Sequence, residues 1–145
     1  MITARDIMHS GAQCINADQS LMDAARMMRD LDVGALPICG ADKQLKGIIT
    51  DRDIVLRCLA VGKDPAMMKA MDLGGHLHCV RADDDMETVL KKMEQHQIRR
   101  MPVIDEHDKL VGMISEADLA SGHRDGQRLT DRQIIEFMDS IYVNR

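Results

Sequence analysis

Two pairs of side chains, each a hydroxyl followed three positions later by an aspartate, are the strongest candidates for chemistry in this sequence. Thr50 and Asp53 follow the apolar run 47–49, and Ser115 and Asp118 follow the run 112–114. A carboxylate beside a hydroxyl can accept hydrogen bonds from the hydroxyl groups of a bound molecule, and such charge-assisted bonds are strong. The repeated pair therefore indicates ligand binding rather than catalysis.

The same spacing also has a purely structural explanation. A hydroxyl and an acid three residues apart at a helix start form a capping box, in which each side chain bonds the backbone N–H of the other residue. The chain repeats this spacing at Thr3 with Asp6 and at Ser20 with Asp23. The spacing alone does not identify a ligand site, and both interpretations stay open at this point.

Known catalytic patterns do not assemble in the sequence. It contains no G-x-S-x-G nucleophile motif, no Walker phosphate loop and no nucleophile, base and acid in a recognisable order. An active site needs a nucleophile or a base with a partner that orients it, and no such set is identifiable. The sequence therefore predicts a protein that is not an enzyme.

The charge and hydropathy of the chain exclude two broad classes of partner. The 145 residues carry a formal net charge of −5 without a lysine or arginine block, which argues against general nucleic-acid binding. No apolar run approaches the roughly 18 residues that a membrane helix needs, and residues 1–6 do not form a secretory signal pattern. We expect a cytoplasmic protein without a membrane partner, and secretion stays open.

Four cysteines and two neighbouring histidines are the candidate metal ligands. The cysteines at 14, 39, 58 and 79 include no C-x-x-C pair, which argues against a zinc knuckle. His76 and His78 share one face of a predicted strand, but no third ligand is identifiable. We therefore expect no metal site, and in a reducing cytosol the cysteines would be small buried side chains.

Apolar spacing and turn residues predict the same order of elements in both halves of the chain: strand, helix, strand, strand, helix. The first half places them at 13–16, 21–31, 36–39, 45–49 and 51–59; the second half has strands at 77–80, 101–104 and 110–114, with helices after Asp85 and Ser115. Pro37 and Pro102 predict that their strands begin there or lie at a sheet edge, because proline donates no ladder hydrogen bond.

Two apolar stripes complete the predicted helices. The helix after Thr50 has its stripe at Ile54, Val55, Cys58 and Leu59. After a polar loop at 121–128, a C-terminal helix carries Leu129, Ile134, Ile135, Met138 and Ile141. This last helix would cover the core of the repeats or contact a partner chain.

One constant offset of 65 positions relates the two halves without a gap. It aligns Pro37 with Pro102, Gly47 with Gly112 and Asp53 with Asp118. Such a repeat indicates paired supersecondary units, neither of which buries its apolar face alone. We expect a first unit at 1–64, a connector at 65–76, a second unit at 77–122, and a C-terminal loop and amphipathic helix at 123–145.

The segments that carry the repeat resemble CBS domains, and the doubled unit resembles a stand-alone CBS pair, or Bateman module. The matching segments are 6–8, 33–38, 47–53, 98–103 and 112–118, and the resemblance runs from about residue 3 to 121. It implies an α/β fold of two tandem CBS units, each β-α-β-β-α, packed by pseudo-twofold symmetry. It also implies frequent homodimerisation. The C-terminal helix predicted from apolar spacing lies outside the resemblance.

The resemblance further implies a ligand and the residues that hold it. Clefts between such repeats take adenosine-type ligands such as AMP, ADP, ATP or S-adenosylmethionine, and no cofactor is required. The ribose would lie against Thr50, Asp53, Ser115 and Asp118. Arg100, with Arg99 beside it, stands where the family often places a phosphate contact, and Arg52 would serve the other cleft. The alternative is that Arg100 is a solvated surface cation, and Ala35 occupies its place in the first repeat.

This resemblance favours a regulatory sensor whose regulated partner the sequence does not name. The rival is an interaction or redox and stress-response protein that keeps the fold and binds no nucleotide. The family fold places the first two strands of a unit side by side, so Cys14 and Cys39 would come within reach of a disulfide. That bridge would favour the rival.

Overall fold

The computed structural model describes residues 1–74, 77–121, 123–124 and 127–142. In chain order its elements are α1 Ala4–Ile7, β1 His9–Ser10, β2 Ile15–Asn16, α2 Leu21–Leu31, β3 Ala35–Cys39, β4 Leu45–Thr50, α3 Asp51–Ile54, α4 Ala70–Leu73, β5 Val80–Arg81, α5 Met86–His96, β6 Arg100–Ile104, β7 Leu110–Ser115, α6 Glu116–Ser121, β8 His123–Arg124, β9 Gln127–Arg128 and α7 Asp131–Tyr142. A 3₁₀ turn, Ala41–Lys43, precedes β4. A π-helical turn, Val55–Leu59, continues α3.

The chain divides into two compact units. The N-unit consists of Gln13–His78 with Asp108–Leu110, and the C-unit consists of Met1–Ala12, Cys79–His107 and Val111–Arg145. The expected order of strand, helix, strand, strand and helix recurs as β2-α2-β3-β4-α3 and β5-α5-β6-β7-α6. The predicted mixed α/β fold of two repeats with a C-terminal helix is confirmed.

The N-unit is built on a three-stranded sheet in the order β2-β3-β4. β2 runs parallel to β3, and β3 and β4 form the expected antiparallel hairpin. Ser20 begins α2 by accepting a hydrogen bond from the Asp23 backbone N–H, which places the apolar stripe of α2 on the sheet. The largest wholly buried side chains here are Ile15, Leu21, Leu36, Ile38 and Ile49.

The C-unit repeats this arrangement in a four-stranded sheet in the order β1-β7-β6-β5. Asp85 begins α5 by accepting from the Thr88 backbone N–H. The predicted stripe of α5 is confirmed, because Met86, Val89, Leu90 and Met93 are all buried in its core. Even the left-handed residues that end α2 and α5, Asp32 and Gln97, stand 65 positions apart.

The residue ranges of the two compact units differ from the ranges of the two sequence repeats. Residues 1–12 pack in the C-unit: the Ala4 N–H bonds the Asp84 carbonyl at 2.8 Å and the Met86 N–H bonds the Ile2 carbonyl at 2.9 Å. Residues 65–78 likewise belong to the N-unit, where the Leu21 N–H bonds the Met68 carbonyl at 2.9 Å. The segment before each repeat therefore packs on the other repeat.

The position predicted for the two proline-containing strands is wrong. β3 and β6 are interior strands of their sheets by strand order, not edge strands. Proline is accommodated because the outer neighbours are only two residues long: β2 pairs with Ile38 and Cys39, and β5 pairs with Val103 and Ile104. Pro37 and Pro102 thus lie just before the doubly paired part of each strand.

The helix after Thr50 does not bury its whole predicted stripe. Ile54 and Cys58 are buried, but Val55 and Leu59 are about half exposed, at 51% and 53%. The cause is the π-helical turn, in which the Ala60 N–H bonds the Val55 carbonyl at 2.9 Å. Its i→i+5 bonding changes the angle between successive side chains, so the 3.6-residue pattern no longer describes the buried face.

The C-terminal helix α7 packs in the core of the C-unit. Leu129, Phe137 and Ile141 are buried there, whereas Ile135 of the predicted stripe is exposed. The segment 121–128, predicted as a loop, includes the antiparallel pair β8 and β9. Among the described residues, no helix combines the length and apolar character needed to cross a membrane.

Candidate functional site

The first hydroxyl–acid pair lies in the N-unit, where β4 ends and α3 begins. The Thr50 N–H donates to Asp53 Oδ2 at 3.1 Å, and the Asp53 N–H donates to Thr50 Oγ1 at 3.1 Å, so the capping box is complete. Arg57 Nη1 lies 3.8 Å from Asp53 Oδ1 and also donates to the Leu73 carbonyl at 3.1 Å. The carboxylate is 29% exposed, so it is oriented by the backbone and still accessible.

The second pair lies in the C-unit, between β7 and α6. The Ser115 N–H and hydroxyl donate to Asp118 Oδ2 at 2.8 and 2.9 Å. His9 Nδ1 contacts the same oxygen at 2.7 Å. The Asp118 side chain is 19% exposed and His9 is 52% exposed. The sequence predicted Ser115 and Asp118 together, but it gave no signal for His9, which is distant in the chain.

Gly112 explains how residues 8–10 approach the second motif. β1 pairs with β7 through His9 opposite Met113 and Ser10 opposite Gly112. A Cβ atom on Gly112 would lie 2.5 Å from Met8 Sδ and 2.8 Å from the His9 carbonyl oxygen, which no side chain tolerates without displacing β1. The equivalent position at Gly47 is roomier, with Gly74 Cα at 3.7 Å.

The predicted phosphate-contacting arginines have different surroundings. Arg100 is exposed at the first residue of β6. Its neighbour Arg99 is about one-third exposed and lies 3.5 Å from Glu116 on α6. Arg52 is exposed on the first turn of α3 in the N-unit. Arg99 thus forms an ion pair with Glu116, while the side chains of Arg100 and Arg52 are exposed to solvent.

Cys14 and Cys39 form a disulfide in the N-unit, with their Cα atoms 5.7 Å apart. The bridge joins the residue before β2 to the last residue of β3, where β2 is only two residues long. Cys58 is buried and Cys79 is half-buried, and neither forms a disulfide in the described part of the chain. The predicted bridge is therefore present in the structure.

The family model described as CBS domain matches this chain twice, at residues 4–59 and 71–123. Hypoxic response protein 1 of Mycobacterium tuberculosis is 44% identical over 142 residues, which cover 97% of this chain and 94% of the relative. The sequence of segments 3–8, 34–40 and 94–102 suggests that protein, and the identity over nearly the whole chain confirms the overall likeness. A Bacillus subtilis CBS domain-containing protein is 34% identical over 83% of this chain and 84% of its own length.

Solved structures agree with the fold. A crystal structure of Hypoxic Response Protein I with two coordinated zinc ions is 48% identical and superposes with a TM-score of 0.78, covering 84% of this chain and 99% of that one. A CBS domain protein of Pyrobaculum aerophilum, complexed with AMP, has a TM-score of 0.78 at 21% identity, covering 94% and 98%. The repeated fold and the close sequence relative together establish that this chain belongs to the CBS-domain family, as a CBS pair.

Proposed function

We propose that this CBS pair is a regulatory protein that binds an adenine nucleotide or another adenosyl ligand, with its ribose on the motif carboxylates. The observation that carries the proposal is the pair of capping boxes at the ends of β4 and β7. In each box the backbone orients an aspartate that remains partly exposed, at 29% for Asp53 and 19% for Asp118. A ribose diol can donate to such an acceptor in a charge-assisted pair.

The surrounding charges favour a phosphorylated ligand. Arg100 in the C-unit and Arg52 in the N-unit are exposed cations on the elements that flank the motifs. A guanidinium presents several N–H donors in a fixed geometry that matches phosphate oxygens. AMP, ADP and ATP fit these charges, and S-adenosylmethionine is the candidate adenosyl ligand that has no phosphate. AMP is the ligand of the Pyrobaculum aerophilum protein, which has this fold.

The test is a calorimetric titration of the purified chain with AMP, ATP and S-adenosylmethionine. The decisive variants are Asp53→Ala and Asp118→Ala. The matched control is Asp6→Ala, because Asp6 Oδ2 accepts from the Thr3 N–H and hydroxyl at 2.9 and 3.0 Å in the same kind of capping box. We expect a loss of roughly tenfold or more in affinity at each altered motif, since bonds to charged groups contribute about 1.5–3 kcal/mol. The control should bind normally.

Two results would remove the nucleotide proposal. One is the absence of heat with every ligand. The other is binding that Asp6→Ala weakens as much as Asp118→Ala, because the effect would then come from the lost helix cap rather than from the ligand contact.

Zinc enters the test as a separate ligand. Two zinc ions are coordinated in Hypoxic Response Protein I. In the described part of this chain, no three His, Cys, Asp or Glu side chains gather into a group that could hold a metal. His76 of the predicted histidine pair lies outside the described residues. Titration with zinc alone separates metal binding from nucleotide binding.

A second candidate function is redox or stress response through the protein surface, without a nucleotide. The Cys14–Cys39 disulfide favours it, since stable disulfides are uncommon in a reducing cytosol. The relation to hypoxic response protein 1 points the same way. Non-reducing mass spectrometry across a series of defined redox potentials tests it. Four free thiols at every potential would remove this candidate.

We also propose that the chain forms a homodimer through an apolar patch on the N-unit. The patch consists of Val55, Leu56, Leu59, Val61 and Met67, all of which are about half exposed or more. Leu56 and Val61 also line an open depression of about 640 Å³. Four of the five patch residues lie within residues 55–61, and exposed apolar surface concentrated in one region is typical of a protein interface.

Light scattering tests this interface with Leu59→Glu. We expect the variant to be monomeric at concentrations at which the unaltered chain is dimeric. The matched control is Ile135→Glu, which alters an equally exposed aliphatic residue on α7 of the C-unit. A dimer that survives Leu59→Glu, or that Ile135→Glu also breaks, contradicts the assignment.

A further inference from the structure

In the second motif, the carboxylate of Asp118 already contacts another side chain of the protein, that of His9. Asp118 Oδ2 contacts the Ser115 N–H, the Ser115 hydroxyl and His9 Nδ1, at 2.8, 2.9 and 2.7 Å. A carboxylate only accepts, so this contact is a hydrogen bond in the histidine tautomer that carries a proton on Nδ1. In the described part of the chain all three donors lie on Oδ2 and none of these three uses Oδ1. These three donors therefore all use Oδ2 of the carboxylate and leave Oδ1 to other donors.

The position of His9 is set by the backbone rather than by the side-chain contact alone. His9 pairs with Met113 and Ser10 pairs with Gly112 in the sheet. The absence of a side chain at Gly112 lets residues 8–10 lie directly against β7. The imidazole is nevertheless 52% exposed, so it can rotate away without disturbing the core.

A ribose diol brings two donors to the acid. Each carboxylate oxygen has two lone pairs, and three donors already converge on Asp118 Oδ2. In a bidentate pair each ribose hydroxyl donates to a different carboxylate oxygen. One hydroxyl then finds Oδ1, but the other reaches Oδ2 only if a donor leaves that oxygen. The Ser115 donors close the helix cap, whereas His9 is a partly exposed side chain. His9 is therefore the group that a second hydroxyl would displace.

We propose that His9 is a specificity-determining residue of the second motif: it competes with one hydroxyl of the ligand diol for Asp118. This inference rests on the proposed binding of an adenosyl ligand and adds the residue that sets its affinity and its sensitivity to the sugar. The first motif has a different neighbour, since Asp53 faces Arg57 at 3.8 Å. The second motif alone should respond to a change at His9.

The experiment measures binding of AMP and of 2′-deoxy-AMP by calorimetry, in chains that carry Asp53→Ala to silence the first motif. The variants are His9→Ala, which removes the competitor, and His9→Asn, whose amide keeps a donor near the place of Nδ1. The control is His107→Ala, which removes an exposed histidine of the same unit that lies 3.5 Å from Glu106.

His9→Ala should bind AMP about two- to fivefold more tightly, the range that corresponds to one partly exposed charged contact. Its affinity for 2′-deoxy-AMP should stay within twofold, because a single hydroxyl needs only Oδ1. His9→Asn should restore the weaker AMP binding, and His107→Ala should change neither ligand.

Several results overturn the proposal. Unchanged or weaker AMP binding in His9→Ala does so, as does equal tightening of both ligands. A third such result is AMP binding in the chain that keeps Asp53 and none in the chain with Asp53→Ala. Nucleotide binding would then belong to the first motif, and His9 would have no role in it. No AMP binding in any chain, including the one with Asp53, removes the proposed function and the role of His9 with it.

Discussion

The two repeats share one backbone plan and differ in what surrounds the same acid. Both motifs end a strand, begin a helix and close a capping box. Asp53 faces an arginine on its own helix, whereas Asp118 contacts a histidine from the first strand of the chain. Helix capping keeps the shared geometry in both copies, but neighbours from elsewhere in each unit give the two acids different acceptor capacity.

The repeats also differ in what completes each core. In the C-unit, α7 supplies Phe137 and Ile141 to the buried cluster. In the N-unit, a disulfide joins Cys14 to Cys39, and the apolar side chains after α3 stay exposed. One unit thus gains stability from an added helix and the other from a covalent link. Four predictions test these differences, from the largest expected effect to the smallest.

Phe137→Ala should destabilise the C-unit most strongly. The side chain is wholly buried, and removing a buried phenylalanine costs about 3–5 kcal/mol of unfolding free energy. Urea denaturation measures the loss, and hydrogen exchange should show lower protection in α5 than in α2. Ile135→Ala on the exposed face of α7 is the control and should change little. Equal loss of protection in α2 and α5 would contradict separate cores.

Replacing both Cys14 and Cys39 by serine should destabilise the N-unit by about 2–4 kcal/mol. The bridge closes a loop with a sequence separation of 25, so its loss frees the unfolded chain. Denaturation of the double variant, compared with the unaltered chain under oxidising conditions, measures this. The control is Cys79→Ser, which alters a cysteine outside the disulfide, at the equivalent place in the C-unit. The same stability in the double variant and the control would remove the structural role of the bridge.

Thr50→Ala and Ser115→Ala should each cost about 1 kcal/mol of unfolding free energy, because both remove an N-cap hydroxyl. Thr50 Oγ1 accepts from the Asp53 N–H at 3.1 Å, and Ser115 Oγ accepts from the Asp118 N–H at 3.4 Å. Denaturation of the two single variants measures the costs. Costs that differ by several kcal/mol would show that one motif does more for the fold than cap a helix.

Acid should loosen the start of α5 before the start of α2. The backbone N–H of Thr88, helped by its side chain, bonds the Asp85 carboxylate and lowers its pKa below the ordinary value of 3.8. The stabilising contribution is therefore present above that value and is lost as pH falls through the lowered pKa. Ser20, which caps α2 at the equivalent place, does not titrate.

Amide exchange at Thr88 and Asp23, followed from neutral pH to below about pH 4, measures this difference. Protection at Thr88 should fall and protection at Asp23 should not. Asp85→Ser should make the two helices alike. A fall at Thr88 that persists in Asp85→Ser would assign the acid effect to another group.

Much of the fold was predictable because its causes are local. Hydroxyl–acid pairs indicate where helices start, and apolar spacing predicts the buried faces of α2 and α5. The 65-residue offset indicates the repeat. The segments that carry the repeat resemble CBS domains, and the family model confirms this resemblance. The interior position of β3 was missed because the length of β2 decides whether Pro37 is tolerated there.

The candidate site was predictable only in part, because some of its residues lie within one motif and others come from distant parts of the chain. Asp53 and Asp118 are visible in the sequence because each sits in its own motif. His9 is separated from Asp118 by 109 positions, and no local pattern connects them. The π-helical turn at Val55–Leu59 was also missed. The apolar stripe was assigned with the 3.6-residue period of an α-helix, and that period does not reveal a π-helical turn.

The sequence by itself determined the repeat, the helix caps and the two motif acids, because each depends on residues a few positions apart or on one constant offset. The family was identified from the resemblance of the repeated segments to CBS domains. The tertiary structure alone decided that residues 1–12 pack on the second repeat and place His9 on Asp118. That contact depends on the pairing of β1 with β7 and on the space at Gly112. Pairing between distant segments is set by how whole surfaces pack, which no local spacing encodes.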